Sequence, residues 1–186
     1  QMRLAQPVTG LAVLGNQIYL ANGSDGIQVV DANDTSHPLL VSNVELPGHR
    51  AMDVAVDKTR GLLAVAASND LGTGYIRFFA TEKDGLVSAP GYANIEFGGD
   101  GSGADALAGA PVDIQWLNGE LYVLFVREGQ LYLAVFSAFG SEPTYRVQKL
   151  ERATVPAGYT AYDLPSLQAQ HGVVNVTTDS QYLIYR

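Results

Sequence analysis

Short apolar runs rich in Val, Ile, Leu, Tyr and Phe recur along the chain, separated by clusters of Gly, Asn, Asp and Pro. That is the pattern of strands joined by tight turns, because a strand turns successive side chains to opposite faces and the turn residues tolerate backbone that others avoid. The helical period is weak. The Ala-rich stretch Ala104–Ala110 is only one or two turns long, and Leu164–Gln170 is interrupted by Pro165. The expected class is all-β.

The runs also repeat. One copy reads Gly10–Asn22 and then Gly26–Asp31; a second reads Asp53–Ala66 and Gly74–Ala80; a third reads Asp113–Phe125 and Gly129–Phe136. A weaker fourth has Asp163–Leu167, Gly172–Thr177 and Gln181–Tyr185. Each copy is strand, turn, strand, turn, strand. Positions 10, 53, 113 and 163 stand at intervals of roughly 40 to 60 residues, near the length of a four-stranded β-propeller blade. The longest interval contains the glycine-rich stretch Gly98–Gly109, which is too poor in large side chains to pack as a strand.

The expectation is therefore a single propeller domain over residues 1–186, with blades near 6–46, 49–98, 110–151 and 161–186. Leu39–Glu45, Asn94–Phe97 and Arg146–Leu150 supply outer strands for the first three. The fourth lacks one, and the N-terminal segment 2–5 is unpaired. Joining them closes a four-bladed ring and removes two exposed sheet edges. The alternative is four consecutive blades of a larger propeller, completed by further blades or by a second copy.

Composition narrows the chemistry. The content is 47% hydrophobic and 16% charged, a globular balance. A net charge of -8 disfavours grip on nucleic acid or anionic lipid. Without cysteine there are no disulfides, thiolate metal sites or cysteine nucleophiles. No apolar run is long enough to span a bilayer, so no membrane insertion is expected. Nothing matches a Gly-x-Ser-x-Gly elbow, a Walker loop or a dinucleotide fingerprint.

The segment Gly15–Asp31, followed by Asp34-Thr-Ser-His-Pro38 and Leu40-Val41, resembles an LVIVD repeat. In that family a Gly-Asn-x-x-Tyr-x-Ala hairpin leads into a Gly-Leu-x-Val-Val-Asp strand and an Asp-x-Ser-x-Pro turn. The match covers about residues 10–56 and fades afterwards, since Ala80 and Phe136 stand where the first copy has Asp31. The resemblance implies a propeller in a secreted or surface-attached prokaryotic protein, with no general enzymatic activity attached to it.

Three copies open on an aspartate, Asp53, Asp113 and Asp163; the first has Thr9-Gly10 there instead. First strands line a propeller's channel, so these carboxylates would either gather round Ca²⁺ or Mg²⁺, or accept backbone N–H bonds that fix the joints between blades. The loop Asp100–Asp105 has ion-wrapping composition but lacks EF-hand spacing, so it reads as a flexible surface insertion rather than an ion site. His37, His49 and His171 stand beside turn residues with no metal-ligand spacing. Tyr19, Tyr75, Tyr122, Tyr132 and Tyr182 alternate within strands as packing residues, whereas Tyr159 and Tyr162 fall in a connection between blades where their rings could meet a ligand. Asn22, Asn33 and Asn175 head Asn-x-Ser/Thr sequons, relevant only in a eukaryotic secretory pathway.

Two functions compete. One is a non-catalytic binding or scaffold module, extracellular, cell-surface or periplasmic, whose inter-blade loops meet a protein or glycan. The other is a metal-dependent, lactonase-like hydrolase with a divalent ion held by Asp53, Asp113 and Asp163.

Overall fold

The computed structural model describes residues 6–98, 106–139, 142–154, 165–170, 173–178 and 182–185. No helix occurs among them, and the strands form four separate antiparallel sheets in chain order. The first contains β1 (Gly10–Leu14), β2 (Gln17–Ala21), β3 (Ile27–Asp31) and β4 (Leu39–Val44). The second contains β5 (Arg50–Asp57), β6 (Leu62–Ser68), β7 (Gly74–Glu82), β8 (Gly85–Ser88) and β9 (Ile95–Glu96). The third contains β10 (Ala110–Leu117), β11 (Glu120–Arg127), β12 (Gln130–Ala138) and β13 (Thr144–Thr154). The fourth contains β14 (Ser166–Gln170), β15 (Val173–Thr177) and β16 (Tyr182–Tyr185).

Successive sheets pack face to face, and the alternation of side chains along each strand explains how. In β6, Leu63, Val65 and Ala67 join Tyr19, Ile27 and Val29 in the core between the first two sheets. Their neighbours Leu62, Ala64 and Ala66 join Leu121, Val123 and Phe125 of β11 in the next core. The other face of β11, Tyr122, Leu124 and Val126, meets Leu167, Ala169, Val174 and Val176 of the fourth sheet. A strand covered on both faces needs no polar side, which is why β6 reads Leu-Leu-Ala-Val-Ala-Ala-Ser and is buried throughout.

The inner strands β1, β5, β10 and β14 lie side by side in that order. Register corrects the sequence alignment at the fourth copy. Each inner strand closes its hairpin on a pair, Leu14↔Gln17, Asp57↔Leu62, Leu117↔Glu120 and Gln170↔Val173. Counted back from those pairs, Gly10, Asp53 and Asp113 correspond to Ser166. Asp163 is not their counterpart; it precedes the strand and lies outside the described residues. Hairpin pairing places Leu167 opposite Val176.

The second sheet's outer edge also differs from expectation. Asn94–Phe97 alone was the outer strand in the sequence, but β7 is long enough to take two short partners, β8 along Phe79–Glu82 and β9 along Tyr75–Ile76. The Lys83-Asp84-Gly85 turn, with Gly85 at φ 140°, carries the missed hairpin. The N-terminal segment 2–5, Tyr159, Tyr162, His171 and the loop 100–105 all fall outside the described residues.

Candidate functional site

Both β5 and β10 carry a bulge immediately before their aspartates, between Ala51 and Asp53 and between Pro111 and Asp113. A bulge re-aims the next side chain. Here it sends each carboxyl across to the neighbouring sheet. The Ile114 N–H donates to Asp53 Oδ2 at 3.0 Å, and the Leu167 N–H donates to Asp113 Oδ2 at 2.7 Å. Two residues further along β10, Gln115 repeats the tie, accepting from the Ala169 N–H at 2.6 Å and donating to the Ala169 carbonyl at 3.2 Å. At the first joint the Thr9 hydroxyl donates to the Ala51 carbonyl at 3.0 Å. Side-chain-to-backbone bonds thus stitch all four inner strands together.

The two carboxyls also lie close enough for each to influence the other's ionisation. Each residue is half-buried by surface area, but its carboxyl group is enclosed more deeply than the residue as a whole. Burial first, and then the negative charge of Asp113, push the Asp53 carboxyl well above the ordinary carboxylate range. Burial also raises Asp113, opposed by the hydrogen bonds it accepts. Both carboxyls are thus pushed towards the protonated form, Asp53 by burial and the neighbouring negative charge, Asp113 by burial. Gly10 faces them at close quarters: a Cβ there would stand 2.0 Å from Asp53 Oδ1. That approach is why the first copy has glycine where the next two have aspartate.

Of the three aspartates proposed to hold an ion, the structure brings Asp53 and Asp113 together, puts Ser166 at the fourth register position and leaves Asp163 undescribed. Among the described residues no group of three His, Asp or Glu side chains is arranged to hold a metal. The Oδ2 atoms of Asp53 and Asp113 accept backbone N–H bonds.

A second feature lies at the end of the sheets where the inner strands begin. The β2–β3 turn, the β4–β5 connection and the β6–β7 turn surround a cleft of about 520 Å³. Its lining includes Asp25, Gln28, Glu45, His49, Arg50 and Asp70. The β2–β3 turn is built by Gly23 and Gly26 at φ 56° and 80°, with the Gly26 N–H donating to the Gly23 carbonyl at 3.1 Å. A Cβ at Gly26 would stand 2.2 Å from the Val44 carbonyl oxygen, so the turn closes on the strand beside it. His49 leans on Tyr75 with ring centroids 4.6 Å apart, and Arg50 pairs with Asp70 at 3.3 Å. The buried Gln28 Oε1 and Asn22 Oδ1 accept no hydrogen bond. Asn22–Gly26 has the residue types of an ordinary hairpin turn, which it is, and that composition alone does not show that Ser24 and Asp25 line a cleft. Each lining segment reads singly as a polar loop, and only the stacking of sheets joins them.

At the opposite end the Arg60 guanidinium bridges the Asp57 carboxylate at 2.7 Å and the Gly119 carbonyl at 3.3 Å, and lies 5.7 Å from the Trp116 ring. Phe78, Tyr92 and Phe139 complete an aromatic cluster with Trp116. Tyr19, Tyr122 and Tyr132 are buried in the cores as the alternation implied. His37 sits in an exposed turn, 3.0 Å from Asp34.

No protein-family model matches the chain, and no curated protein does. Solved structures do match. The computationally designed Ika4 protein aligns with a TM-score of 0.58 at 11% identity, over 97% of this chain and 91% of that one. The computationally designed Ika8 protein aligns at 0.51 and 13% identity, over 98% of this chain and 47% of its own. A chain of a nidogen/laminin complex aligns at 0.54 and 13% identity, over 97% and 65%. At such identities the likeness concerns the fold alone.

Proposed function

We propose that the four sheets are the blades of a small β-propeller, and that the chain is a non-catalytic binding module of a secreted or cell-surface protein. Its loops at the end where the inner strands begin meet a protein or glycan partner. The observation that carries this reading is the cleft assembled from three loops of two adjacent sheets, with buried acceptors left unpaired in and beneath its wall. Loops set on stiff, stacked sheets are a common way to present a binding surface. The side-by-side inner strands support the propeller, and the resemblance of residues 10–56 to an LVIVD repeat supports the compartment.

Binding of the purified protein to a glycan microarray and to a panel of extracellular-matrix proteins tests the function. Loss of a positive signal in Asp25→Ala/Asn69→Ala, with retention in Lys58→Ala at the other end, supports it. Metal-dependent turnover of lactone or ester substrates that disappears in Asp53→Asn would overturn it. Light scattering tests the ring: a closed four-bladed ring is monomeric, whereas four blades of a larger ring pair to twice the mass.

A further inference from the structure

We propose that a fourth joint forms between β14 and β1 of the same chain, in which the Gln168 side-chain amide spans to the backbone N–H and C=O of Val13. This rests on the reading of the four sheets as propeller blades and names the residue that closes them.

The other three joints define the parts that a fourth one needs. Counted back from the hairpin pairs Leu14↔Gln17, Asp57↔Leu62, Leu117↔Glu120 and Gln170↔Val173, Leu11 corresponds to Val54, Ile114 and Leu167. Each of those three is buried against the sheet before it, Val54 against the first, Ile114 against the second and Leu167 against the third. Leu11 has the same place and character but is 58% exposed, and Val13, two residues on, is 43% exposed. The middle strands of that face are already enclosed. Leu20 stands opposite Leu11, and Val30 is in line with Val13 through Ile18. Both are buried, yet neither belongs to the three cores between the sheets. The outer face of the first sheet is built as an interior face whose inner strand is left open.

The fourth sheet holds the complementary part. Gln168 occupies the register position of Gln115 and is exposed. Gln115 holds both backbone groups of Ala169, and Val13 is the counterpart of Ala169 in the first sheet. Val13 precedes the closing pair of a two-residue hairpin. Hydrogen-bonded pairs alternate along an antiparallel ladder, so the N–H and C=O at that position point away from β2. Ser166 stands where Asp53 and Asp113 accept the N–H of the next inner strand, and its hydroxyl can accept from Leu11. Closing the joint pairs two backbone groups with one amide and draws Leu11 and Val13 out of water. A second copy could offer the same groups, but the enclosure of Leu20 and Val30 within one chain favours closure inside it.

The test is amide hydrogen exchange of the purified full chain, followed residue by residue by NMR. The Val13 N–H is expected to exchange about tenfold more slowly in wild type than in Gln168→Leu, with the Ala169 N–H unchanged. Gln115→Leu is expected to give the reverse. Gln168→Glu keeps an acceptor for the N–H and should retain most of the Val13 protection. Equal Val13 exchange in wild type and Gln168→Leu overturns the proposal, and with Ala169 still protected it leaves the blades standing. Equal loss at Val13 and Ala169 in Gln168→Leu also overturns it, since that marks a general loosening. So does a Gln168→Glu variant as unprotected at Val13 as Gln168→Leu. Val13 protection that vanishes on dilution overturns both this joint and the four-bladed ring, because the tie then lies between two copies.

Discussion

Replacing Asp53 by Asn removes a carboxyl whose pKa is pushed up by burial while keeping its shape. The Asn carbonyl oxygen can still accept from the Ile114 N–H, and its amide can donate permanently to Asp113, where Asp53 can do so only when protonated. In the wild type the folded Asp53 carboxyl titrates well above its unfolded value, so the stabilisation it brings is complete below the unfolded pKa and is lost as pH rises through the folded one. The raised Asp113 acts in the same direction. While the folded chain keeps one proton that the unfolded chain has released, stability falls by about 1.4 kcal/mol for each pH unit. Asp31 and Asp34 have the opposite sign: hydrogen bonds lower both, so their contribution is lost on acidification below the ordinary carboxylate range and does not mask the window above it. Urea unfolding from about pH 4.5 to 7.5, followed by the fluorescence of the single Trp116, measures the slope. The wild type is expected to weaken as pH rises, and Asp53→Asn to be flatter and, near neutrality, at least as stable. Parallel curves for the two proteins would refute the raised titration of Asp53.

Other expectations concern the joints and cores. Gly10→Ala forces a Cβ to within 2.0 Å of Asp53 Oδ1 and 2.7 Å of Asp53 Cα, so thermal melting should show a loss of about 1–3 kcal/mol. Gln115→Leu orphans both backbone groups of Ala169; a loss of about 1–3 kcal/mol is expected, with faster hydrogen exchange in β14 than in β1. Phe97 packs edge-on against Phe125 at 5.1 Å in the core between the second and third sheets, and Phe97→Ala should cost about 3–5 kcal/mol in chemical denaturation. Unchanged stability in any of these would show that the joint or core concerned is not organised as described.

Most of the strands were legible because the information is local. The runs rich in Val, Leu and Ala mark the strands, β6 among them, and the Gly-Asn and Asn-Gly pairs mark turns. The aspartates at 53 and 113 were visible as a repeat, and both outcomes open to them, an ion or the backbone, could be named from charge and geometry alone. The choice between those outcomes lay in tertiary structure. It depended on two bulges, on a glycine close enough to touch Asp53, and on backbone N–H groups of strands some fifty to sixty residues away. Hairpin pairing and not residue type sets register, and pairing puts Ser166 in line with Gly10, Asp53 and Asp113, while Asp163 lies outside the described residues. The cleft was hidden most completely. Its walls come from three turns whose sequences satisfy ordinary turn chemistry, and their acidity and unpaired carbonyls become one surface only when two sheets stack face to face.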